Sequence, residues 1–79
     1  MAEIQDLENR LHLLLAELNR CVDLSVEIRE DNPGSKEQVA RAWENMMGKF
    51  LSYVRSRERE TGTDLLQGMS LGKIMKYLF

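Results

Sequence analysis

Cysteine, proline, histidine and tryptophan each occur once in these 79 residues. A lone cysteine excludes an intramolecular disulfide framework and a cysteine-based zinc site. Aromatics make up only 6% of the chain, and no stretch alternates apolar and polar residues for long, so strand signals are weak. No apolar run approaches the ~20 residues of a membrane-spanning helix, and 30% of the residues are charged. The start, Met1-Ala2-Glu3-Ile4-Gln5-Asp6, has no basic region before an apolar stretch, so no signal peptide is expected. The chain reads as soluble and intracellular, with a cytoplasmic location expected. Gly62, Gly68 and Gly72 follow no strand and precede no Gly-Lys-Ser/Thr, so no phosphate loop is expected. The length allows one domain, residues 1–79, and leaves no room for a two-domain enzyme.

What the chain does contain is apolar periodicity. The main punctuation is Asp31-Asn32-Pro33-Gly34. Pro33 drives Asn32 out of the helical region and lacks an N–H, and Gly34 suits a turn. Ser35 and Gln38 have capping-box spacing. One helix is therefore expected over residues 2–30, a turn over 31–35, and a second helix over 36–60. In the first, Ile4, Leu7, Leu11, Leu14, Leu18, Cys21 and Ile28 fall on alternating three- and four-residue steps, with Ser25 the one polar member. Leu15 and Val22 widen the stripe, and Leu13, Leu24 and Val26 lie off it. In the second, Val39, Trp43, Met46, Phe50 and Tyr53 keep the same steps, beside Ala40, Met47, Leu51 and Val54. Thr61-Gly62-Thr63 reads as its end. The tail, 63–79, is expected to break near Gly68. A short helix follows, capped by Ser70, with Leu71, Ile74, Met75 and Leu78 on one face.

The expected fold is all-α: an antiparallel hairpin of two long helices, with a short C-terminal helix that could close a three-helix bundle. If the chain folds back at Pro33-Gly34, facing residues have numbers that sum to about 67. Ile28 then meets Val39, Leu24 meets Trp43, Cys21 meets Met46, Leu18 meets Phe50 and Leu14 meets Tyr53. Charge agrees with that pairing. Residues 1–34 hold eight acids against three bases, and residues 35–79 hold five acids against eight bases.

Chemistry has few candidates. His12 beside the seam has no second histidine and no cysteine at metal-ligand spacing. Cys21, at a seam position, fits a small apolar side chain better than a thiolate nucleophile. Asp6 with Arg10, Glu17 with Arg20, and Glu37 with Arg41 have ordinary helix-surface spacing. No catalytic residue, metal or cofactor is expected.

A hairpin this short buries only about 60% of its unfolded surface, and its apolar stripes are wider than one helix pair covers. The expected function is therefore a non-enzymatic protein–protein interaction module. It would be a small subunit, adaptor, chaperone or inhibitor that oligomerises or docks on a larger assembly. The candidate interface residues are Leu13, Leu24, Trp43, Met46, Met47, Phe50, Leu71, Ile74, Met75, Leu78 and Phe79. The methionines suit an adaptable surface, and large anchors such as Trp43 and Phe50 dominate such contacts. The alternative is a small nucleic-acid-binding regulator using Arg41, Lys49, Arg55, Arg57 and Arg59. Glu58 and Glu60 interrupt that basic run, and the net charge is −2. A membrane-surface role for residues 70–79, through Lys73 and Lys76 beside the apolar face, is a third and weaker fit.

Overall fold

The computed structural model describes residues 3–66 and 68–78. Helix α1 spans Ile4–Asp31, a single 3-10 turn spans Pro33–Ser35, α2 spans Lys36–Thr61 and α3 spans Leu71–Met75. There is no strand among the described residues, so the chain is all-α with two long helices and a short C-terminal one. The two long helices match the expected ones to within a residue or two at each end. Over residues 63–70, nothing that is described is helical.

Contacts group the chain into two units, Met1–Trp43 and Glu44–Phe79. Unit 1 begins with α1, which contains neither glycine nor proline and is rich in leucine, glutamate and arginine. Its first turn is closed by Asp6, whose carboxylate accepts the Glu3 backbone N–H at 3.3 Å. Asp6 thus works at the helix start, a role its spacing to Arg10 does not announce. α1 stops because Asn32 precedes Pro33 and is extended, at φ −139° and ψ 91°. The Asn32 N–H still donates to the Ile28 carbonyl at 2.9 Å.

The expected capping role of Ser35 is not what the structure contains. The 3-10 turn runs straight into α2, with no extended N-cap residue between them. The Ser35 hydroxyl turns backward instead and donates to the Asn32 carbonyl at 2.6 Å, with the Ile28 carbonyl at 3.4 Å. Both carbonyls also accept a backbone N–H, the Asn32 oxygen from Ser35 and the Ile28 oxygen from Asn32, each at 2.9 Å. Only 2% of Ser35 is exposed. The Asn32 side chain accepts the Gly34 N–H at 3.1 Å, which fixes the turn from its other side. Beyond the turn, the chain of unit 1 folds back far enough for Trp43 to meet Ser25. Leu18, Cys21, Ser25, Val39 and Trp43 are half-buried, and the three from α1 are consecutive members of the expected seam.

Unit 2 holds the rest of α2 and the tail. Gly62 ends α2 at φ +68°, a left-handed conformation that glycine adopts without a Cβ penalty. Its N–H donates to the Glu58 carbonyl at 2.8 Å. The Thr61 hydroxyl donates to the Arg57 carbonyl at 2.7 Å. The Glu58 carboxylate then accepts the Leu65 N–H at 2.9 Å, tying the first residues of the tail to the end of α2. Ser70 caps α3 as expected, accepting the Lys73 N–H at 3.4 Å. Among the described residues of this unit, Val54 is the buried apolar one, 8% exposed.

Candidate functional site

In unit 1, α1 and the first turns of α2 leave an open cleft between them of about 470 Å³. Val22, Val26, Val39 and Trp43 line it together with Ser25, Arg29 and Glu30. The Trp43 indole N–H donates to the Ser25 hydroxyl at 2.9 Å, and that hydroxyl donates to the Cys21 carbonyl at 2.7 Å. Ser25, the polar exception in the α1 stripe, therefore accepts from the chain's one tryptophan. A seam serine opposite a tryptophan was the signal, but the expected register placed Leu24 there, one residue away.

The remaining interface candidates in unit 1 do not line this cleft. Leu13 is 69% exposed and Leu24 is 55% exposed, on parts of α1 outside it. In unit 2, Met46, Met47 and Phe50 are exposed along α2, and Ile74, Met75 and Leu78 are exposed in the tail. Leu71 opens α3. Phe79 lies outside the described residues. The candidates are thus spread over both units, and Trp43 is the one that lines this cleft.

The basic candidates keep company with acids. Arg41 lies 3.9 Å from Glu37, and Arg57 lies 3.1 Å from Glu60. Arg55 and Arg59 line a second open cleft, about 620 Å³, together with Glu58 and Asp64. Lys49 is exposed on α2. Glu17 pairs with Arg20 at 3.3 Å. Such exposed pairs contribute about 0–1 kcal/mol each. In the tail, the Lys76 ammonium stands 5.8 Å from the centre of the Tyr77 ring, within cation–π range.

His12 is exposed and Cys21 is a half-buried free thiol. Among the described residues, no three His, Cys, Asp or Glu side chains lie close enough to hold a metal ion. Among them too, no helix is long and apolar enough to cross a membrane. No protein-family model matches the chain, and no curated protein or solved structure is significantly similar to it.

Proposed function

We propose that this chain is a non-enzymatic interaction module, a small helical subunit or adaptor whose apolar helix faces are completed by another polypeptide. One observation carries the reading. Leu7, Leu11, Leu14, Leu15 and Val22 of α1, and Met47, Phe50 and Leu51 of α2, are all between 45% and 55% exposed. Helices so rich in exposed leucine and phenylalanine gain little from folding alone, since most helical stability comes from burying one face. At roughly 25 cal/mol per Å² of apolar area, covering these side chains is the largest favourable term open to the chain. Exposed patches of this kind mark interaction surfaces.

In this reading the stripes of α1 and α2 and the tail face of Ile74, Met75 and Leu78 meet the partner. Subunit, adaptor, chaperone and inhibitor all use such a surface.

The test is whether the isolated chain hides its apolar residues. Thermal unfolding followed by circular dichroism, together with binding of a hydrophobic dye, is measured on the purified chain. The expected result is either self-association or a helical monomer that binds dye and melts without a sharp transition. A monomer that melts cooperatively and binds no dye would overturn the reading.

A further inference from the structure

The unpartnered apolar surface comes with a charge pattern that selects its occupant. Unit 1 carries nine acids against five bases, and unit 2 carries four acids against six bases. Each unit also has its own exposed apolar set: Leu11, Leu14 and Val22 in the first, and Met47, Phe50 and Leu51 in the second. A contact of unit 1 with another unit 1 sets acid against acid, and unit 2 on unit 2 sets base against base. Only the crosswise contact matches both properties.

We propose that the partner is a second copy of this chain. Unit 1 of each copy lies against unit 2 of the other, so one two-fold axis generates both contacts and the assembly closes at two. The proposal rests on the interaction-module reading and names its partner. Size favours it as well. A chain of this length buries about 60% of its unfolded surface, whereas about 150 residues bury 68–70%, and small chains commonly supplement a thin core by oligomerising. The opposed charges set the pairing and discourage the wrong one, while the apolar faces supply most of the free energy.

The decisive experiment is a charge swap read by analytical ultracentrifugation of the full chain. One variant carries Glu8→Lys, Asp23→Lys and Glu27→Lys, which moves unit 1 from −4 to +2. The other carries Lys49→Glu, Arg55→Glu and Arg59→Glu, which moves unit 2 from +2 to −4. The native chain is expected to be a dimer from micromolar to millimolar concentration. Each variant alone, with its helical content checked by circular dichroism, should dimerise at least about tenfold more weakly, because its own units now repel. An equimolar mixture should recover the dimer, since both crosswise contacts again pair opposite signs.

A native chain that stays monomeric throughout overturns the proposal. If that monomer still binds dye, the interaction-module reading stands without a second copy; if it melts cooperatively and binds none, both fall. A dimer that the unit 1 variant tightens and the unit 2 variant leaves alone points to unit 1 pairing with itself, and also overturns the proposal. So does a mixture no tighter than the two variants apart.

Discussion

Trp43 donates its indole N–H to the Ser25 hydroxyl at 2.9 Å, and this bond joins two helices across the only proline of the chain. Ser25 sits where the leucine stripe of α1 calls for an apolar residue. Its hydroxyl has two engagements, accepting from Trp43 and donating to the Cys21 carbonyl at 2.7 Å. The polar interruption is thereby satisfied at a half-buried position, and it ties the first turns of α2 to α1 in unit 1.

Removing either partner should loosen that tie. Trp43→Phe keeps an aromatic ring and loses the donor; Ser25→Ala loses the acceptor. Each is expected to cost about 1 kcal/mol, the usual net worth of such a bond. The double variant should cost less than the two single changes added together, because the bond is lost only once. Urea denaturation at fixed protein concentration, followed by circular dichroism, measures this. Strictly additive costs would mean that the two side chains do not act through each other.

Ser35→Ala should also cost about 1 kcal/mol or somewhat more, since the hydroxyl is buried and serves the Asn32 carbonyl at 2.6 Å. Ser35→Thr keeps the hydroxyl but adds a methyl group at a site only 2% exposed, where overpacking strains the turn. Both variants should lower the melting temperature. Ser35→Ala melting with the native chain would show that the hydroxyl adds nothing to the backbone N–H that the Asn32 carbonyl already accepts.

The helices were legible because their signals are local. Asn32-Pro33-Gly34 punctuates the chain, the apolar steps of α1 and α2 repeat with Ser25 the one polar member in α1, and Ser70 stands just ahead of α3. Gly62 was readable as a helix end for the same reason. What was not legible depends on geometry between residues that no spacing rule connects. Ser35 has the spacing of a capping box, yet the 3-10 turn keeps it helical and sends its hydroxyl back to α1. Glu58 reads as a surface acid, yet it holds the Leu65 amide. The interface candidates were chosen for bulk and periodicity, which identify a face that needs covering but carry no information on what gathers where. Hence Trp43 came out lining a cleft that Leu13 and Leu24 do not line.

Two glycines in α2 and at its end should respond with opposite sign. Gly48 lies inside the helix, and a Cβ added there would meet nothing within 4 Å. Gly48→Ala should stabilise the helix by about 0.4–1 kcal/mol. Gly62 has φ +68°, so Gly62→Ala should cost about 1–2 kcal/mol. Gly62→Asn should cost less, because asparagine tolerates that region. Melting temperatures of the three variants check the ordering. A stabilising Gly62→Ala would contradict the left-handed helix end.

The link between Glu58 and the tail offers a test that needs no global unfolding. The Glu58 carboxylate accepts the Leu65 N–H at 2.9 Å, seven residues on and beyond the helix end. Glu58→Gln leaves an oxygen that can accept the same proton, although without the charge that strengthens such a bond. Glu58→Ala leaves none. Hydrogen exchange of the Leu65 amide should therefore be slowest in the native chain, faster in Glu58→Gln and fastest in Glu58→Ala. The amides in the middle of α2, around Lys49 and Phe50, should exchange alike in all three, since they lie more than two turns from Glu58. Equal rates at Leu65 in all three proteins would show that the tail is held by something other than this carboxylate.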